Sequence, residues 1–281
     1  MAMDRNQRIG IVGAGAAGLS LARRLADRGF RRVTVLEREA EPGGKCRSWR
    51  YEGGVWELGA VLATTDYTGT LELMRRVGME PWRPPRPDRP VDESYMERGF
   101  WPSERLFPGW IRASELPSGI GQILRYHALA PRYRAAFAPG HVGTPEELAD
   151  TFQAWSERHR MGTLAKALSI PYTTFGYGYY DEIPAAYVLK FFEPGLVRAL
   201  LLKNKFFKWK EGIQTLWERL AAGLDVRYSL ELREVRRGGP IVAAGIDRAT
   251  GEPFRMEFDR LVLACPLDDA LSFLEIGRAH V

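Results

Sequence analysis

A glycine-rich turn near the start of the chain constrains the fold more than any other feature of the sequence. The hexapeptide Gly13-Ala14-Gly15-Ala16-Ala17-Gly18 follows a short apolar run, Arg8 to Val12, and opens a segment with helical spacing of apolar residues, Ala16 to Arg28. A second apolar run, Val33 to Leu36, ends at Glu37. This pattern predicts a βαβ unit with parallel strands, and hence an α/β fold with a Rossmann-like first domain.

The glycines and the acidic residue of this unit match a dinucleotide site. Gly13 permits the tight turn, Gly15 lets the backbone approach a pyrophosphate, and Gly18 allows the helix to pack closely on the strand. The start of the helix offers free amides and a positive dipole end to phosphates. Glu37 can accept hydrogen bonds from ribose hydroxyls, and its charge disfavours the 2′-phosphate of NADP. The alternative is a glycine turn that binds no ligand.

Composition excludes several classes of function. The net charge of +5 comes from basic residues scattered among acidic ones, so we predict no nucleic-acid partner. Cys46 and Cys265 are the only cysteines, and the four histidines show no ligand spacing, so no metal site is predicted. No apolar run of about 18 residues occurs, which predicts no transmembrane segment. The start lacks the pattern of a signal peptide, so we expect a cytoplasmic protein.

The order of predicted elements divides the chain into three parts. Residues 1–80 are predicted to begin the dinucleotide-binding domain, residues 81–205 to form a mainly helical substrate or cap domain, and residues 206–274 to return to the first domain. Five short strands are predicted within this last part, and we expect all of them to join the first sheet. The final residues, Glu275 to Val281, read as a translated sequencing adapter, so we expect the C-terminal part of the fold to be missing.

Four motifs in sequence order identify the dinucleotide. Gly43-Gly44-Lys45 lies shortly after the acidic residue, and Glu57-Leu58-Gly59-Ala60 follows it. Gly212 to Leu216 reads GIQTL, and Asp259 to Pro266 reads DRLVLACP. Together these motifs resemble the flavin amine oxidase superfamily, and this resemblance implies that the cofactor is FAD. The implied cofactor-binding residues are Gly13, Gly15, Ala16, Ala17, Gly18, Glu37, Arg38, Gly43, Gly44, Lys45, Gly59 and Ala60.

Three stretches resemble a narrower group within that superfamily. They run from Gly43 to Ala60, from Pro171 to Lys190 and from Trp209 to Leu216. They are similar to the FAD-dependent isomerases that move double bonds in polyenoic fatty acids such as linoleate. The resemblance implies that the flavin takes a hydride from a bis-allylic carbon onto N5 and returns it at another carbon, so the chemistry is carried by the cofactor and no catalytic side chain is assigned.

The same resemblance implies a tunnel for a lipid-like substrate. Aromatic faces suit a transient delocalised cation, and five residues are candidates for the tunnel wall: Phe175, Tyr177, Tyr179, Tyr180 and Tyr187. Core packing is the alternative for each of them. Arg86 or Arg89 is the candidate partner of the substrate carboxylate, with an ordinary surface arginine as the alternative.

Two other functions remain open at this point. One is a flavin-dependent oxidase or desaturase of another substrate, such as an amine or a carotenoid. The other is an inactive, truncated FAD-binding fragment.

Overall fold

The chain forms two compact units. The computed structural model describes residues 4–65, 67–82, 116–138, 140, 142–174, 177–194 and 206–274. The first unit, here called the α/β unit, takes its described residues from 4–63, 67–82 and 207–274. The second, the helical unit, takes them from 64–65, 116–194 and 206. Arg86, Arg89, Phe175 and the segment 275–281 lie outside the described residues.

The strands in chain order are β1 (Ile9–Val12), β2 (Val33–Leu36), β3 (Ser48–Tyr51), β4 (Gly54–Glu57), β5 (Ala63–Thr64), β6 (Phe206–Phe207), β7 (Asp225–Arg227), β8 (Leu230–Arg236), β9 (Ile241–Asp247), β10 (Pro253–Phe258) and β11 (Arg260–Leu263). The helices are α1 (Ala16–Asp27), α2 (Thr68–Arg76), α3 (Leu116–Leu129), α4 (Arg134–Phe137), α5 (Phe152–Arg158), α6 (Gly162–Thr174), α7 (Ala185–Phe191), α8 (Ile213–Ala221) and α9 (Leu267–Leu271). Within the described residues, short 3₁₀ helices lie at Ala130–Tyr133 and Glu146–Ala149.

A parallel sheet positions the glycine turn. Its strand order is β11-β1-β2-β7, and every neighbouring pair is parallel. All four residues of β1 are buried, which explains the unbroken apolar run, because a central parallel strand is covered on both faces. Helix α1 packs Gly18, Leu19 and Ala22 into the core beside this sheet. The predicted βαβ start and the α/β class are confirmed.

The prediction for the later strands was wrong in part. Strands β7 and β11 join the parallel sheet, but β8, β9 and β10 form a separate antiparallel sheet. The reason lies in the connections. Loops 237–240 and 248–252 are too short for the crossover of a dozen or more residues that parallel neighbours require, so these strands can pair only as hairpins. The short helix α9, which the sequence analysis did not predict, follows β11.

The helical unit has a core of its own. Trp155, Tyr133, Phe152 and Phe192 are buried in it together with residues of α6 and α7. The Tyr133 and Trp155 rings meet edge to face, with their centroids 5.9 Å apart. None of the helices in the described ranges has both the length and the apolar character that a bilayer crossing requires.

Candidate cofactor site

The glycine turn connects β1 to α1 at the carboxyl end of the parallel sheet. Gly13 has a backbone φ of +106°, which residues other than glycine rarely adopt. A Cβ on Gly18 would lie 1.9 Å from the Gly13 carbonyl oxygen, so only glycine lets the helix sit this close to the strand. Gly15 differs from both. Its φ of −79° suits any residue, and a Cβ there would meet nothing nearer than the Gly44 Cα at 3.9 Å.

Helix α1 begins without a side-chain cap. Its N-cap residue is Gly15, which makes no side-chain hydrogen bond, and its first turn contains no acidic residue. The first amides of a helix have no carbonyl partner within the helix. The turn therefore presents N–H groups and the positive end of the helix dipole next to Gly15, where no side chain covers the backbone.

The Glu37 side chain points towards this turn. Its Oε2 accepts a hydrogen bond of 2.6 Å from the Ala14 amide, and its Oε1 accepts one of 2.8 Å from the Glu39 amide. The Glu37 amide donates to the Arg227 carbonyl at 2.8 Å, which fixes the end of β2 against β7. A carboxylate is thus held beside the glycine turn, with lone pairs that can also accept from hydroxyl groups.

The Gly43-Gly44 loop lies directly on the turn. The Gly43 amide donates to the Ala14 carbonyl at 2.9 Å, and Gly15 and Gly43 form a parallel bridge. A Cβ on Gly44 would lie 3.3 Å from the Gly15 Cα. Two glycine segments that are separated along the chain therefore form one surface.

The Gly59-Ala60 turn packs behind Lys45. The Ala60 amide donates to the Lys45 carbonyl at 3.3 Å, and a Cβ on Gly59 would lie 1.8 Å from that same oxygen.

Arg38 belongs to a different environment. It is exposed, and its guanidinium forms ion pairs with Glu39 at 3.2 Å and Asp269 at 3.6 Å.

The start of α8 is capped by side chains of the β3–β4 hairpin. Glu57 Oε1 accepts from the Ile213 amide at 2.9 Å, and Ser48 Oγ accepts from the Gln214 amide at 3.1 Å. The Ser48 hydroxyl donates to Glu57 Oε2 at 2.6 Å. Burial raises the pKa of Glu57, and these hydrogen bonds only partly oppose that shift.

An apolar cavity of about 450 Å³ opens beside the site within the α/β unit. Ala16, Ala17, Cys46 and Ala60 line one part of it, and side chains of α2 and α8 line another. Its volume lies within the range of small-molecule sites. Burial raises the pKa of the Cys46 thiol, so this cysteine is a neutral wall residue rather than a reactive thiolate.

The candidate tunnel residues do not share one environment. Tyr180 packs edge to face on Phe152, and its hydroxyl is buried without a hydrogen-bond partner among the described residues. Tyr177, Tyr179 and Tyr187 are each about half exposed, at 50%, 62% and 52%. Core packing therefore describes Tyr180. The Tyr177 ring also packs against Phe191 and Tyr172, with centroids 4.8 and 5.3 Å apart, although the residue is half exposed.

The sequence analysis missed the side chains that hold the second glycine loop. Gln214 and Ser48 are buried, at 3% and 7% exposure, and they bond the loop and the start of α8 to one another. The motif from Gly212 to Leu216 pointed to this region. No sequence signal indicates that one glutamine side chain bonds three separate groups, because the contacts span more than 160 positions.

Comparison with known families shows which family the chain belongs to. The sequence model of the flavin containing amine oxidoreductases matches residues 16–276, which is most of the chain. The chain belongs to this family. The flavin amine oxidoreductases are FAD-dependent enzymes, so the predicted superfamily and cofactor are confirmed.

This member of the family is similar to solved and curated proteins, and it spans less than two thirds of their length. A CLA-producing fatty acid isomerase from P. acnes is 26% identical with a TM-score of 0.78, over 99% of this chain and 63% of the isomerase. A putrescine oxidase is 19% identical with a TM-score of 0.66, over 96% of this chain and 60% of the oxidase, and so shares the fold. A zeta-carotene-forming phytoene desaturase from Myxococcus xanthus is 43% identical over 61 residues, which is 22% of this chain and 12% of the desaturase.

Proposed function

We propose that this chain is the FAD-binding part of an enzyme that isomerises double bonds in polyunsaturated fatty acids. The observation that carries the proposal is the likeness to a CLA-producing fatty acid isomerase along 99% of the chain. When bound, FAD supplies hydride abstraction at one carbon of the substrate and hydride return at another, with no net redox change.

The glycine turn fits the diphosphate of FAD. The open space over Gly15 and the uncapped amides of Ala16 and Ala17 offer close backbone approach and N–H donors. Gly13 and Gly18 hold the turn in that shape.

Glu37 accepts from the ribose hydroxyls. Gly43, Gly44 and Lys45 form the adjoining wall, and the packing of Gly59 and Ala60 against the Lys45 carbonyl holds that wall in place. Arg38 lies at the rim, where its charge is shared with surface carboxylates.

The substrate site needs an apolar, water-poor space beside the flavin. The cavity lined by Ala16, Cys46 and Ala60 provides apolar walls next to the proposed cofactor residues. Tyr177, Tyr179 and Tyr187 are half exposed aromatic residues of the helical unit and stay candidates for a tunnel wall. Phe175 remains a candidate for the same wall, and Arg86 or Arg89 for the carboxylate partner.

A flavin-dependent oxidase or desaturase is the second candidate. It is favoured by the local identity of 43% to the phytoene desaturase and by the fold shared with putrescine oxidase. This function differs from isomerisation in its electron balance, because oxidation of the substrate leaves the flavin reduced until an acceptor reoxidises it.

Anaerobic incubation with linoleate separates the two candidates. Protein that carries this chain is saturated with FAD, mixed with linoleate without oxygen, and followed by absorbance. The isomerase proposal expects conjugated-diene absorbance to rise while the flavin band keeps its oxidised intensity, and stearate serves as the control without double bonds. Lasting loss of the oxidised flavin band without conjugated diene would contradict it and favour the oxidase or desaturase.

A further inference from the structure

Gln214, in the first turn of α8, connects both ends of the second glycine loop. Its Nε2 donates to Glu41 Oε2 at 3.0 Å and to the Pro42 carbonyl at 3.3 Å, just before the loop. Its Oε1 accepts from the Ser48 amide at 3.0 Å, just after the loop. Gln214 is 3% exposed, and its bonds to the Ser48 amide and the Pro42 carbonyl are buried, whereas its bond to the exposed Glu41 carboxylate is partly buried.

The loop between these anchors is held from two sides. On one side the Gly43 amide donates to the Ala14 carbonyl of the glycine turn at 2.9 Å. On the other side the Cγ of Gln214 lies near Gly43, because a Cβ placed there would be 3.4 Å from it, about van der Waals distance. The glutamine side chain therefore lies beside the loop and bonds both of its ends.

We infer that Gln214 is a positioning residue that sets the Gly43-Gly44 loop at the distance from the glycine turn that FAD binding requires. The inference rests on the proposed cofactor site. Gln214 acts through the loop and does not itself touch the cofactor.

The chemistry of the three partners selects a neutral amide. The buried Pro42 carbonyl needs a donor and the buried Ser48 amide needs an acceptor, and the exposed Glu41 carboxylate accepts a further bond. Glutamine offers both from one planar group, whereas glutamate lacks the donors and methionine lacks all three bonds. A buried amide or carbonyl that loses its partner is costly, so the loop should shift rather than stay in place unbonded.

The first test replaces the amide with an apolar side chain of similar length. Gln214→Met should weaken FAD binding by about 10- to 100-fold, since two buried hydrogen bonds and one partly buried bond are lost. Without FAD, amide hydrogen exchange across 43–48 should accelerate. The matched control is Gln122→Met in the helical unit, where a buried glutamine also bonds the Leu164 amide at 3.0 Å and the Ser118 hydroxyl at 2.8 Å. It should leave FAD affinity and exchange at 43–48 unchanged.

The second test exchanges donor and acceptor. Gln214→Glu places a carboxylate against that of Glu41 and should weaken FAD binding more than Gln214→Met. Adding Glu41→Gln lets the new amide donate to the new carboxylate, so the double variant should recover FAD affinity relative to Gln214→Glu alone.

Three results would overturn the inference. They are unchanged FAD affinity and exchange in Gln214→Met, an equal loss of affinity in Gln122→Met, and no recovery in the double variant. Absence of FAD binding in the unchanged protein is distinguishable from these, because it would remove the cofactor site itself and this inference with it.

Discussion

Substitution of Gly15 by alanine separates the needs of the cofactor from those of the fold. The backbone φ of −79° accepts alanine, and the new Cβ would have its nearest neighbour at 3.9 Å, the Gly44 Cα. A Gly→Ala change at a compatible site raises the free energy of unfolding by about 0.4–1 kcal/mol, because the unfolded chain loses conformational freedom. Loss of a favourable N-cap residue opposes this gain. The cofactor-free protein should therefore keep its unfolding free energy to within about 0.5 kcal/mol.

Cofactor binding should respond very differently. The methyl group would stand where the pyrophosphate approaches the backbone, and we expect the FAD dissociation constant to rise by about 100-fold or more. At a FAD concentration of about 100 times the original constant, the unchanged protein gains about 2.7 kcal/mol of stability. The Gly15→Ala variant would gain only about 0.4 kcal/mol under the same conditions.

Thermal unfolding with and without FAD measures this difference. For a unit of this size, the lost stabilisation of about 2.3 kcal/mol corresponds to roughly 5–9 °C in the FAD-induced shift of Tm. The matched control is Gly18→Ala, whose Cβ would lie 1.9 Å from the Gly13 oxygen and which should lower Tm even without FAD. An equal FAD-induced shift in Gly15→Ala and the unchanged protein would refute the reasoning.

Three further predictions follow from the same site. Glu37→Gln should weaken FAD binding by about 10- to 100-fold in a fluorescence titration, because charged acceptors hold hydrogen bonds more strongly than neutral ones. Since burial raises the pKa of Glu57 above its ordinary value of 4.5, folding favours its protonated form, and the associated stability is lost as pH rises through the folded pKa. The Tm of Glu57→Gln should therefore rise relative to that of the unchanged protein as pH increases from about 4 to about 7. Gly59→Ala should lower Tm and FAD affinity together, because its Cβ would lie 1.8 Å from the Lys45 carbonyl oxygen and must displace that loop.

Each of these predictions has a control and a contradicting result. Glu39→Gln removes an exposed carboxylate two residues away and should leave FAD affinity nearly unchanged; an equal loss in both variants would argue against the role of Glu37. A Tm difference that does not vary with pH would argue against the burial of Glu57. Gly69→Ala, in open space on α2, should not lower Tm, and the same tolerance at Gly59 would contradict the close packing there.

The local part of the site was predictable from the sequence because short-range patterns encode it. The strand, glycine turn and helix from Ile9 to Asp27 follow one another within about one supersecondary unit, and their glycines have fixed geometric roles. The second glycine loop was predicted as part of the site through family resemblance. Only the structure shows its direct contact with Ala14 and Gly15, because spacing along the chain does not show which loops meet.

Two features escaped sequence reasoning for different physical reasons. Short strands between Asp225 and Leu263 were predicted, but local patterns do not encode which sheet a strand joins, and the short loops pair β8, β9 and β10 with one another in a separate sheet. The role of Gln214 escaped because it depends on three bonds to segments more than 160 positions away.

A crystal structure of the protein with FAD bound tests the central claim most directly. The account predicts pyrophosphate oxygens within hydrogen-bond distance of the Ala16 and Ala17 amides, about 2.7–3.2 Å, and ribose hydroxyls on the Glu37 carboxylate. FAD bound elsewhere, or a Glu37 side chain turned away from the ribose, would contradict it.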